Sequence, residues 1–191
     1  MPDGHARLQL PWYSARMNLY LRLILTLLRA WRLPRLQVGD TLERSLRVLP
    51  NDIDINGHMN NGRYLTIIDL MLVEYFVRVG FAGTIIKKGW RPMSGGSIIS
   101  YRRGLDPFQQ YTVRYRIDAC DANWNYMRYE FLSGGKLCAA GYMKGAVVGK
   151  EGFVPNATSY GAMGQAPLAG ELPQAVQHWL TAEKELMVSP W

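Results

Sequence analysis

Residues 52–64 read Asp-Ile-Asp-Ile-Asn-Gly-His-Met-Asn-Asn-Gly-Arg-Tyr, the densest run in the chain of groups able to exchange protons or hydrogen bonds. Two acids, three amides, a histidine and two glycines precede an almost wholly apolar helical run. A plain strand-to-helix connection needs one cap residue and a glycine, not this set. A carboxylate here can act as a base or a nucleophile, and a histidine four residues from it as an acid, so the stretch reads as an active-site loop.

Such a loop needs rigid elements on either side. Before it, 42–49 reads as a strand ended by Pro50, which cannot donate to a ladder. After it, 64–79 reads as a helix with Gly80 as its C-terminal stop; only Thr66, Asp69, Glu74 and Arg78 interrupt its apolar surface, which marks a helix buried on most sides. Beyond Arg91 the period changes to two, with strands expected at 97–103, 110–118, 124–132 and 136–148, separated by Gly, Asp, Asn and Ser turn residues. In the second of these, Tyr111, Val113, Tyr115 and Ile117 share one face. The product is an α+β domain: an antiparallel sheet wrapped around one long buried helix. The organisation read from the chain is an N-terminal amphipathic helix in 1–35, the domain in 36–155, a small-residue linker in 156–170 and a C-terminal helix in 171–191.

The net charge of +7 is unevenly spread: residues 1–35 hold six Arg against one Asp, which leaves about +2 for the domain. That balance points away from nucleic acid. Cys120 and Cys138 fit neither a disulfide framework nor zinc-ligand spacing, and are read as reduced and inert. In the N-terminal segment, Asn18, Arg22, Thr26 and Arg29 form a narrow polar stripe beside a wide apolar face. The longest uncharged run inside it is far short of the roughly 20 residues that cross a bilayer. Three readings stay open: a helix lying in the membrane interface, with Trp12, Tyr13, Tyr20 and Trp31 at the polar boundary; docking on the fold or on a second subunit; and a targeting peptide.

The order of strand, acid-bearing loop, buried helix and antiparallel strands resembles the hotdog-fold thioesterases. Asp52-x-Asp54 with Gly57 and Tyr64 is similar to the 4-hydroxybenzoyl-CoA thioesterase pattern, and Asp54-x-Asn56-x-His58-x-Asn60-Asn61 to the acid, amide and histidine set of plant acyl-carrier-protein thioesterases. Val48-Leu49-Pro50, His58-Met59-Asn60-Asn61, Arg63-Tyr64-Leu65 and a tail through Gln177-His178-Trp179 resemble thioesterase superfamily member six and its bacterial relatives. Where some plant enzymes carry an acid just after Tyr-Arg-Arg, this chain has Gly104, which speaks against a second catalytic carboxylate at that point.

The resemblance implies a hotdog homodimer or dimer of dimers that hydrolyses an acyl-CoA or acyl-carrier-protein thioester in the cytoplasm or at a membrane surface, without metal or redox cofactor. It makes Asp54 the nucleophile or general base. His58 could orient it, polarise the thioester or protonate the leaving thiolate, and Asn56 could hold water or the carbonyl. Gly62, Arg63 and Tyr64 open the helix, where unpaired N–H groups and the helix dipole offer an oxyanion site. Asn60 and Asn61 are expected to cap the helix and shape the substrate site, Asp52 to brace the loop, and Arg102 and Arg103, with Lys87 and Lys88, to meet phosphates. Two rival readings are an acyl-CoA-binding scaffold without turnover and a hydratase or dehydratase on the same fold.

Overall fold

The computed structural model describes residues 12–188, with side chains from Leu19 onward. The expected placements of the Trp12, Tyr13 and Asn18 side chains therefore lie outside what is described. Helix α1 (Trp12–Arg32) leads into β1 (Leu42–Arg47) and a 3₁₀ turn (Pro50–Asp52). Helices α2 (Asn61–Arg78) and α3 (Phe81–Lys88) follow, then β2 (Arg91–Tyr101), β3 (Gln110–Cys120), β4 (Trp124–Ser133), β5 (Lys136–Gly149) and the short β6 (Gly152–Val154). Helices α4 (Asn156–Gly161) and α5 (Gln174–Val188) close the described chain.

The strands form one antiparallel sheet in the order β1-β3-β4-β5-β2, with β6 added to β5. Tyr111, Val113, Tyr115 and Ile117 of β3 are all buried, as their alternation predicts, and they pack with Tyr64, Ile67, Ile68, Met71 and Tyr75 of α2 in the main core. The register shifts between Ile117 and Ala119, and this bulge turns Ala119 into a second cluster with Tyr126, Tyr142 and Val176 of α5. The α+β layout is the expected one.

Four details differ from the sequence expectation. Helix α2 starts three residues earlier, because the Asn60 Oδ1 accepts the Gly62 N–H at 2.9 Å and caps the helix there. Helix α3 had no counterpart in the reading. It fits between Gly80 and Gly89, both left-handed at φ 86° and 65°, so the chain turns sharply at each end of eight helical residues. Strand β2 begins six residues earlier, running through Pro92 and a Gly95-Gly96 bulge that an edge strand tolerates.

The expected linker at 156–170 instead holds α4, with Asn156, Ser159 and Tyr160 buried. Asn156 donates to the Asp121 and Trp124 carbonyls at 2.9 and 3.1 Å, and the Gln165 Oε1 accepts the Val38 N–H at 3.0 Å. The small residues Gly161, Ala162 and Gly164 stay exposed, and Asn156, Tyr160, Met163 and Leu168 tie the segment to the fold.

Helix α1 docks on the fold, and it does so by its polar stripe. Thr26 and Ala30 are buried against the domain, while Tyr20, Ile24, Leu25, Leu28 and Trp31 face outward.

Candidate active site

The loop after β1 is a tight hairpin rather than an open connection. Ile53 and Met59 form an isolated bridge, the Asp54 N–H donates to the His58 carbonyl at 2.9 Å, and the Gly57 N–H returns to the Asp54 carbonyl at 3.1 Å. Gly57 sits at φ 78°, where a side chain would be strained. The half-buried Asp54 accepts the Asn56 N–H on Oδ1 at 2.8 Å, and among the described residues its Oδ2 has no partner. Asp54 thus both shapes the turn and keeps one carboxylate oxygen available. The Asn56 side chain is exposed at the tip.

His58 does not lean on Asp54. Its Nε2 lies 3.4 Å from Asp106 Oδ1, with the ring half exposed at 51%. Gly104 lies under the imidazole, and a Cβ there would approach the ring to 2.8 Å. The glycine that removes an acid from position 104 therefore makes room for His58, and the carboxylate that meets the ring comes from two residues further on. The Met59 N–H donates to the buried Leu105 carbonyl at 2.9 Å and locks the two loops together.

Asp52 is fully buried and braces the loop, as expected. Its Oδ2 accepts from Arg22 of α1 at 2.8 Å and from the Leu49 N–H at 3.0 Å, while Oδ1 accepts from Arg63 Nε at 3.0 Å. Burial alone would raise its pKa, but these hydrogen bonds and the Arg22 charge outweigh it and hold the carboxyl below its ordinary range.

The Arg63 side chain is thereby committed to Asp52 and is not free for a substrate. The Tyr64 side chain is 1% exposed, with its ring 5.1 Å from Tyr101 and 4.8 Å from Phe131, and burial pushes its hydroxyl up to about 12. The amide left free at the helix start also differs from the expectation. The Gly62 N–H is taken by Asn60 Oδ1 and the Arg63 N–H by the Asn60 carbonyl, so the first helix amide without a partner among the described residues is that of Asn61.

The Tyr101 hydroxyl donates to the Asn61 carbonyl at 3.1 Å and brings the end of β2 to the start of α2. Arg102 and Arg103 follow at this corner, exposed and without an ion pair among the described residues. Lys87 and Lys88 precede the other end of β2. Eleven strand residues span on the order of 35 Å, so the two basic pairs do not form one phosphate site within a subunit.

A model of the thioesterase-like superfamily matches residues 48–180, well over half of the chain. The chain belongs to the thioesterase-like superfamily. Among curated relatives, Protein THEM6 of Xenopus laevis is 28% identical over 135 residues, covering 70% of this chain and 64% of that protein. Thioesterase poxG of Penicillium oxalicum is 26% identical over 98 residues, covering 44% of this chain and 32% of its own. The chain thus spans less than two thirds of the length of these relatives. Of solved structures, a hypothetical protein of Staphylococcus aureus in complex with CoA aligns at TM-score 0.59 and 13% identity, over 75% of this chain and 96% of that one. A gentisyl-coenzyme A thioesterase aligns at TM-score 0.56 and 18% identity, over 62% and 98%. At these identities the likeness shows the shared hotdog fold.

Two acids of this superfamily member escaped the sequence reading. Asp106 had no periodic signal: residues 104–106 belong to no strand, and the carboxylate meets His58 only because this loop folds over the hairpin. Asp69 lies on α2 about two turns beyond Gly62, exposed and without an ion pair or side-chain hydrogen bond among the described residues. Partial burial nonetheless pushes its carboxyl above the ordinary range.

Proposed function

We propose that the protein hydrolyses acyl-CoA thioesters to a free acid and CoA, with Asp54 as nucleophile or general base. The observation that carries this reading is the half-buried Asp54, one oxygen fixed by the Asn56 N–H and the other without a partner, in a hairpin that leads directly to the unpaired Asn61 amide. As nucleophile, Asp54 bonds to the acyl carbon while the C–S bond breaks, and water then hydrolyses the mixed anhydride. As base, it takes a proton from the water that attacks the same carbon. In either route, the Asn61 N–H and the positive end of α2 face the negative charge on the former carbonyl oxygen. His58, backed by Asp106, supplies a proton to the departing thiolate, a role typically worth about 10²- to 10⁴-fold in rate. Arg102 and Arg103 meet the CoA phosphates at the adjacent corner.

The assembly belongs to this reading. Among the described residues, the outer edge of the eleven-residue strand β2 has no partner strand, which suits pairing with a second copy. The outward apolar face of α1 suits the interface of an anionic membrane, since Arg32 and Arg35 are exposed near it and no acid lies in α1. No helix among the described residues is long and apolar enough to cross a membrane.

The test is thiol release from acyl-CoA by Asp54→Asn and Asp54→Ala. Both are expected to lose at least about 10²-fold in turnover with unchanged circular dichroism. Full turnover in both variants sinks the assignment. Tight acyl-CoA binding without hydrolysis by the wild-type protein favours the non-catalytic binding reading.

A further inference from the structure

At the far end of α2 from the loop lies an apolar cavity of about 120 Å³ that none of the loop residues line. Leu72 and Phe76 of α2, Met93 of β2, and Met127, Met143 and Met163 form much of its wall. Protein interiors rarely keep voids larger than a water molecule, and apolar voids of similar size stay dry and take up apolar ligands. Methionine walls are deformable, which suits a flexible hydrocarbon better than a rigid ring.

Helix α2 sets the distance between the cavity and the candidate active site. Along α2, Leu72 and Phe76 lie ten and fourteen residues beyond Gly62, about 15 to 21 Å at the helical rise. Leu65, Asp69, Leu72 and Phe76 recur at helical spacing and form one face of α2 between the two ends. Asp69 is the one charged side chain on that face, and it is exposed. Pro92, Met93 and Ser94 are exposed, so the cavity opens toward the same edge of β2 that ends at Tyr101.

We propose that this cavity receives the terminal hydrocarbon of a long-chain aliphatic acyl group whose thioester carbon sits at Asp54. The inference rests on the proposed thioesterase reading and adds the substrate class to it. An acyl group of a few carbons held at Asp54 cannot reach Leu72, whereas an extended hexadecanoyl chain is long enough to match the separation along α2. The cavity therefore contributes to selection by length and leaves the chemistry at the loop unchanged.

The test compares hexadecanoyl-CoA with butanoyl-CoA in the full chain and in two variants that fill the cavity, Leu72→Trp and Met93→Trp. Met93 is partly exposed at the sheet edge and tolerates a larger ring if the helical variant does not fold. The wild-type protein is expected to prefer hexadecanoyl-CoA in kcat/KM. Each folded variant is expected to lose at least tenfold on that substrate and to stay within about twofold on butanoyl-CoA. Equal losses on both substrates, or a wild-type preference for the short chain, overturn the proposal. Binding of the non-hydrolysable thioether S-hexadecyl-CoA separates this outcome from failure of the thioesterase reading. Wild-type binding that weakens tenfold in the variants supports the tail site even if no substrate turns over; absent or unweakened binding overturns it.

Discussion

The first and last described helices are both amphipathic, yet they dock in opposite senses. Helix α5 sets Val176, fully buried, with Trp179 and Leu180 against Ala119, Tyr126 and Tyr142 on the outer face of the sheet. Helix α1 turns its polar stripe inward, with Arg22 on Asp52 at 2.8 Å, Thr26 accepting from Arg44 at 2.9 Å, and Arg29 4.0 Å from the buried Glu74. Its apolar side is left outside, with Tyr20 at 64% and Trp31 at 73% exposure. The host decides the orientation. The outer sheet face at α5 offers apolar surface with one buried cation, Lys144, that Glu183 of α5 meets, whereas the surface under α1 offers two buried carboxylates, which are costly to bury unless cations reach them. A contiguous apolar patch of this kind is uncommon on a free protein surface and marks a contact with something else.

The comparison breaks most sharply at Asp52. Asp52→Ala strands the Arg22 and Arg63 guanidinium groups, and is expected to cost about 3 to 5 kcal/mol in urea denaturation. A loss below about 1 kcal/mol would show that α1 is not held through this pair. The pH dependence has a definite sign. The folded pKa of Asp52 lies below its unfolded value, so its stabilisation is present above the ordinary carboxylate range near about 4 and is lost as pH falls through the folded pKa. Acid titration of the wild-type protein is therefore expected to show a stability loss below about pH 4 that is reduced in Asp52→Asn; parallel profiles would remove Asp52 as its source.

At α5 the effect is smaller and apolar. Val176→Ala removes buried hydrocarbon and is expected to cost about 1.6 kcal/mol, a value read from the same denaturation curves and insensitive to salt. The smallest stability effect falls on the outer face of α1. Ile24→Ser with Leu25→Ser is expected to change stability by no more than about 0.5 kcal/mol while abolishing co-sedimentation with anionic phosphatidylglycerol vesicles. Retained vesicle binding by that double variant would rule out this face as the membrane contact.

The α2 core and the four long strands are legible in sequence because local periodicity and turn chemistry agree there. The orientation of α1 is not, since the partners that reverse it, Asp52 and Glu74, lie 30 and 45 residues beyond Arg22 and Arg29 in the chain. Helix α3 is one short segment between glycines, too brief for a periodic signal to separate it from a loop. In the site, the residue types of Asp54 and His58 mark the hairpin, but the partner of His58 depends on how a second loop folds over it. The inward turn of Tyr64 was legible: Tyr64, Ile67, Ile68, Met71 and Tyr75 share one helical stripe, and Tyr64 is its first member.

Asp52 divides its two oxygens between Arg22 of α1 and Arg63 at the start of α2, and stands two residues before Asp54. The helix with the outward apolar face and the hairpin with the candidate nucleophile thus share a single buried anchor. Linkage between binding equilibria is reciprocal. To whatever extent seating α1 at a surface shifts this anchor and alters the loop's affinity for an acyl ligand, occupancy of the loop must alter the hold of α1 on that surface by the same factor.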